Sequence, residues 1–366
     1  LVMATAACSP PRQQIPVSNM QVNEQVLAEG FEIPYAIEVL DENDFLVTER
    51  MGGLFRYIDG ELFEVSGIPQ SQTFTTDRPY GGMMEVSLHP KFDENQLVYL
   101  AYVNTSYAMS VVRFRLDGTS AQDMEEIFSS DQFSIGARIA WQDDDHFFLT
   151  FGVGGAPKPE PGPQDLGDPR GKIFRLNADG SIPEDNPVFD DPRALPCIWS
   201  YGHPDPQGLY YDKTAGILYS NEHGPMGGDE LNIIEKGGNY GWPLFSYGLN
   251  YDGSPVSEMT EEEAAKRTVL PLKYWTPSFR LAPSCLILLR ASNFSEWNNS
   301  FLMGGLLYQQ IIRYDPGTDL TEAAMERPGR VRDIKQLPGG DLVILVEHHS
   351  PAAGYPGRII KLSPGK

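Results

Sequence analysis

A β-run, a turn and a second run that closes at a glycine or Pro-Gly turn recur six times along this chain, and that repetition limits the folds open to it. The pairs occupy residues 45–48 with 54–60, 97–100 with 112–118, 147–150 with 173–180, 217–220 with 231–238, 301–304 with 311–317, and 342–345 with 358–365. Within them apolar and basic residues alternate, as in Val112-Arg113-Phe114-Arg115-Leu116. A side-chain period of two buries one face of a strand and wets the other. Hairpins repeated at a blade-sized interval predict radial stacking into a β-propeller, which leaves few open sheet edges. Six pairs predict an all-β, six-bladed propeller of four-stranded antiparallel blades. The 36 glycines and 30 prolines supply turns for many short strands, and only residues 261–266 read as a short helix.

No linker interrupts the repeats, so residues 30–366 are expected to form one domain. Residues 34–40 read as an outer run of the first blade. The Pro-rich stretch 152–171 is long enough to be functional, and is expected to leave an inner strand and lie over one face. A second excursion spans 247–275. Ahead of the domain, residues 1–8 read as the end of a lipoprotein signal segment, because small residues lead up to Cys8. Residues 9–29 then form a linker. Lipidation of Cys8 implies a bacterial periplasmic or cell-surface location; the alternative is a frayed terminus with a buried thiol. No later stretch is long and apolar enough to span a bilayer. Cys197 and Cys285 are expected as buried free thiols. The net charge of −22 argues against nucleic-acid or anionic-membrane binding through the body. The partners left are a sugar or glycan, a protein, and a membrane reached only through Cys8.

The densest set of ligand-type groups lies in 201–243. There, Asn221-Glu222-His223-Gly224-Pro225-Met226-Gly227-Gly228-Asp229-Glu230 sets acids and a histidine in a glycine-rich loop. Glycines allow close backbone approach, and carbonyls with carboxylates suit a hard cation such as calcium. The same acids serve equally as caps of a turn.

Several stretches together resemble a known family. They are YGHPDPQGL, NEHGPMGGDELN and KGGNYGWP, with GGMMEVSLHPKFDENQLVYLAY, QDLGDPRGKIFRLNADGSIPEDNP, and WTPSF followed by APS. In order and over almost the whole chain they are similar to the soluble PQQ-dependent aldose dehydrogenases, the glucose/sorbosone dehydrogenase family. The resemblance implies a six-bladed propeller independently of the repeats. It also implies sugar oxidation by PQQ held with Ca²⁺. Gly224 and Pro225 match the carbonyls that hold the ion, Asp229 matches an acid near it, and Glu222 and Glu230 are in place. Trp275 matches an aromatic position that faces the sugar.

The departures from that family fall at its chemistry. Its base is the histidine of an H-x-G-x-R motif, and here the motif reads Ser134-Ile135-Gly136-Ala137-Arg138. A serine with no base beside it does not abstract a proton near neutral pH, and loss of a general base costs about 10²–10⁴-fold. Tyr80 stands at a glutamine position of the family site. Pro204-Asp205 replaces an Arg-Asn pair that helps hold the quinone, and a basic residue expected near 306–309 is absent. PQQ carries three carboxylates and needs cationic partners. His203 and His223 are expected as structural residues of their motifs. His348-His349 form either an exposed loop pair or, if turned into the channel, a base or transition-metal site.

Two functions follow. One is a PQQ-dependent sugar dehydrogenase-like propeller with impaired or altered catalysis. The other is a non-catalytic, lipid-anchored propeller that binds a glycan or a protein. A calcium-dependent propeller hydrolase ranks third, because Asp205, Glu222 and Asp229 are not one inward acid per blade.

Overall fold

Each repeated hairpin is the middle of a four-stranded antiparallel sheet in the computed structural model, which describes residues 15–74, 79–153, 162–325, 328–347 and 356–365. From the axis outward, blade one is Pro34–Asp41, Asp44–Glu49, Leu54–Ile58 and Glu61–Glu64. Blade two is Met83–Leu88, Leu97–Val103, Met109–Asp117 and Ser120–Ser129. Ile139–Trp141, His146–Phe151, Lys172–Asn177 and Ile198–Tyr201 make blade three. Blade four is Pro206–Asp212, Ile217–Glu222, Asp229–Ile234 and Lys273–Trp275, and blade five is Pro283–Leu288, Phe301–Gly305, Ile311–Asp315 and Leu320–Ala323. Blade six is Arg330–Gln336, Leu342–Glu347, Gly357–Pro364 and, outermost, Val22–Phe31 from the other end of the chain. The innermost strand of each blade touches that of the next, and the series closes from blade six to blade one. This is the six-bladed propeller that the repeats predict.

Several local expectations differ from the structure. The segment 9–29 is not a linker where it is described: Val22 pairs with Pro364, Val26 with Ile360 and Phe31 with Gly357. Upstream, Ser18 donates to Ala323 O at 2.8 Å and accepts from Trp297 Nε1 at 3.2 Å. Its polar run Asn23-Glu24-Gln25 hides the strand, because an outermost strand is held by backbone pairing and hardly by burial. Residues 34–40 are innermost rather than outer. Tyr35, Ala36 and Ile37 are fully buried, whereas the true outer strand Glu61–Glu64 is exposed throughout. The 152–171 loop leaves the second strand of blade three, and the helix in the later excursion is Glu261–Ala264, with a Thr260 capping box. Cys197 and Cys285 are free and buried. Cys8 and His348-His349 lie outside the described residues. Among the described residues, no helix is long and apolar enough to cross a membrane.

The axis is filled by one side chain. Arg138, from blade three, donates through Nε to Gln207 O of blade four at 3.0 Å. Its Nη2 donates to Ser284 O of blade five at 2.7 Å and Arg332 O of blade six at 2.9 Å. Nη1 reaches Glu85 of blade two at 2.8 Å and Asp333 of blade six at 3.2 Å. The guanidinium also lies 4.9 Å from the ring centroid of Tyr35 in blade one. One planar fork with five donors thus contacts all five other blades. Burial opposes its charge, yet Asp333 and Glu85 hold its pKa above the ordinary arginine value.

Removing one partner of a buried ion pair strands the others, at about 3–5 kcal/mol. Arg138→Met is therefore expected to lower the unfolding free energy by about that amount in urea titration. A loss below about 1 kcal/mol would mean the clasp carries little of the fold.

Candidate active site

Alternating strand direction places the starts of first and third strands, and the ends of second and fourth, on one face of the propeller. That face gathers Arg50, Tyr80, Ser134, Asp205, His223 and Arg330 around the axis above Arg138. This is the mouth.

Ser134 does not present a reactive hydroxyl there. It is fully buried; its Oγ donates to Gly136 O at 2.6 Å and accepts from Gly152 N at 3.2 Å. Both bonds fix the turn that leads into Arg138. Tyr80 is half exposed at the rim, and its influence on Arg50 shows that the two are neighbours.

Asp205 and His223 form a hydrogen-bonded pair at the same mouth. His223 Nδ1 lies 3.4 Å from Asp205 Oδ2, and its Nε2 meets Pro283 O at 2.7 Å. Gln207 Nε2 donates to the other Asp205 oxygen at 2.8 Å. Burial alone would lower the His223 pKa, but the Asp205 bond and charge, with Asp229 and Pro283 O, raise it. The pair can hold a proton that Ser134 cannot.

The expected calcium acids have other partners. Asp229 accepts Gly224 N through Oδ1 at 3.0 Å, and Leu281 N and Ala282 N through Oδ2 at 2.8 and 3.0 Å. It ties the loop to blade five. Glu222 is buried against Asn232 Nδ2 at 2.6 Å and His203 Nδ1 at 3.2 Å. Burial lowers the His203 pKa to about 3, so the ring is neutral: Nδ1 donates to Glu222 and Nε2 accepts from Ser200 Oγ at 2.9 Å. The carbonyls of Gly224 and Pro225 are what this loop has left for a cation. Gly228 sits at φ +71°, and a Cβ there would come 2.1 Å from Gly248 N, so the double glycine is a packing requirement. Among the described residues, no cluster of three or more His, Cys, Asp or Glu side chains could hold a metal ion. Trp275 is buried between blades four and five against Phe279 and Tyr314, not on the mouth.

Three arginines that the motifs did not single out give the mouth its charge. Arg330 and Arg332 alternate along the innermost strand of blade six and share Glu347, with Arg330 Nε 3.3 Å from Oε1 and Arg332 Nε on Oε2. Arg330 Nη1 also donates to Leu306 O at 3.0 Å, so the cation expected near 306–309 comes from the next blade. Arg50 is buried against the face of Tyr35, 4.6 Å from its centroid, and its Nε has no acceptor. Burial, then the charge of Arg332, lowers the Arg50 pKa to about 10. Burial opposes ionisation of Glu347, but Arg332, Arg330 and Arg50 hold its pKa down. Three guanidinium groups share one carboxylate. An anion with several carboxylates, which PQQ is, fits this surplus and the open Arg50 Nε. Spacing of two in Arg330-Val331-Arg332 placed both on one strand face; no local signal told which face.

Glu222 and Glu230 stand opposite each other across neighbouring strands, and Asn232 Nδ2 donates to both. Burial first, then their mutual charge or that of nearby aspartates, raises both pKa values well above the ordinary range. Raised carboxyl pKa values contribute stability that is complete below the unfolded pKa and is lost as pH rises through the folded one. In calcium-free buffer the wild-type melting temperature is expected to fall between pH 5 and pH 8 more steeply than that of Glu230→Gln. Parallel profiles for the two proteins would contradict the pairing.

Comparison with known proteins agrees with the frame and the mouth. The profile of the family described as Glucose / Sorbosone dehydrogenase matches residues 31–354. An uncharacterised protein of Synechocystis (slr1608) is 35% identical over 349 residues, 88% of this chain and 83% of its own. The aldose sugar dehydrogenase YliI of Escherichia coli is 30% identical over 94% of this chain and 93% of its own. The crystal structure of the soluble aldose sugar dehydrogenase from Escherichia coli in the apo form superposes with a TM-score of 0.82 at 29% identity, covering 94% of this chain and all of that one.

Proposed function

The chain belongs to the glucose/sorbosone dehydrogenase family, and on that footing we propose that it is a quinoprotein sugar oxidoreductase with impaired proton abstraction. The observation that carries the proposal is the cationic surplus of Arg50, Arg330 and Arg332 over Glu347 at the mouth. Those arginines would hold the carboxylates of PQQ, and the Gly224 and Pro225 carbonyls would hold its Ca²⁺. PQQ, when bound, supplies a two-electron acceptor for an aldose.

Oxidation of a sugar hydroxyl also needs a group that takes its proton. Ser134 has its hydroxyl committed to Gly136 O and Gly152 N, so it does not serve. Replacement of a general base costs about 10²–10⁴-fold, which sets the expected deficit in turnover. The buried Ser134, with Tyr80 at the rim, favours a second reading: a propeller that keeps the frame and binds a glycan or protein without redox chemistry.

Titration of the purified protein with PQQ and Ca²⁺, followed by quinone absorbance, separates the two. The first reading expects saturable binding that Arg332→Leu weakens about tenfold or more, as for loss of a charge-assisted bond. It also expects slow dye reduction with aldoses that Ser134→His accelerates. No PQQ binding would leave the second reading.

A further inference from the structure

Beside the mouth the surface of blade two is aromatic. Thr73–Phe74 and Tyr80–Gly81 pair as a short antiparallel ribbon in which Phe74 stands directly opposite Tyr80. Directly opposed residues project to the same side of a ribbon. The Phe74 ring meets Tyr107 edge-on at 5.0 Å and packs against Phe133 at 4.9 Å. Phe74, Tyr80 and Tyr107 nonetheless stay 46%, 42% and 44% exposed. The ribbon is clamped in place: Gly82 has φ +70°, and a Cβ there would lie 1.9 Å from Arg50 O. Tyr80, beside Arg50, is thus the inner end of the strip, and Tyr107 is the outer end. The rim is polar, with Gln72 Nε2 donating to Tyr107 Oη at 3.4 Å.

Exposed aromatic patches rimmed by polar groups mark binding grooves. Rings with a polar tip suit a ligand that is apolar on one side and wet on the other. A pyranose is such a ligand, with C–H bonds on its faces and hydroxyls around its edge. The strip runs outward from the mouth and is wider than one ring needs, so a sugar in the mouth has somewhere to lay its neighbour. We propose that Phe74, Tyr80 and Tyr107 form a subsite for a second sugar ring, so that the substrate is the reducing end of an oligosaccharide. The proposal rests on the sugar-binding part of the function given above, and not on PQQ.

Affinities for maltotriose, cellotriose and glucose, measured by calorimetry with and without PQQ and Ca²⁺, test it directly. The expected result is that at least one trisaccharide binds about tenfold or more tightly than glucose. Combining Phe74→Leu with Tyr107→Leu, which keeps apolar bulk and removes the flat rings, should bring that ratio to near one. Equal affinity for glucose and both trisaccharides in the wild type overturns the proposal. So does a preference that the double variant leaves intact, or the absence of any trisaccharide binding with or without PQQ. Trisaccharide binding without PQQ binding would remove the redox reading and keep the subsite. Turnover of glucose and trisaccharides with equal kcat/KM would keep the redox reading and remove the subsite.

Discussion

The structure depends on one guanidinium at its axis. Six sheets arranged radially bring their innermost strands together, and backbone carbonyls there face a space too narrow for another strand. Arg138 fills that space and donates to Gln207 O, Ser284 O and Arg332 O while pairing with Glu85 and Asp333. Its partners belong to blades that are far apart in sequence, so it works only when all six are assembled. Blade six adds the second closure, with Val22–Phe31 laid along Gly357–Pro364. The ring is thus tied at its circumference by backbone pairing and at its centre by charge.

That placement separates frame from chemistry within one motif. Gly136 and Arg138 serve the axis: a Cβ on Gly136 would meet Tyr35 Oη at 2.7 Å, and Arg138 holds the blades. Ser134, two turns of the argument nearer the solvent face, serves only its own loop. A chain can therefore keep the glycine and arginine under structural constraint while position 134 changes. The mouth shows the same division. Asp229 and the double glycine at 227–228 keep the blade-four loop packed, whereas the charge that would engage an anion comes from Arg50, Arg330 and Arg332.

Much of the fold was legible because the second and third strands of each blade alternate with period two and end at turns. The innermost strands were harder to read. Tyr35-Ala36-Ile37 is a short apolar run packed on both sides, and periodicity alone does not tell such a run from an outer one. Val22–Phe31 was illegible for the opposite reason: its side chains are mostly exposed and its partner lies at the far end of the chain. At the site, Ser134, Asp205 and Tyr80 were found by position and do gather at the mouth. Trp275 does not, since its strand turns the indole into the core between blades. The arginines were missed because their meaning lies in a convergence of blades one and six that no local pattern encodes.

The central claim is that the arginine side of this mouth receives a polycarboxylate quinone. A crystal structure of the protein grown with PQQ and Ca²⁺ tests it most directly. The account predicts PQQ over the axis, with its carboxylates against Arg50, Arg330 and Arg332 and the ion at the Gly224 and Pro225 carbonyls. A mouth without PQQ at saturating concentration, or PQQ bound away from these arginines, would contradict it.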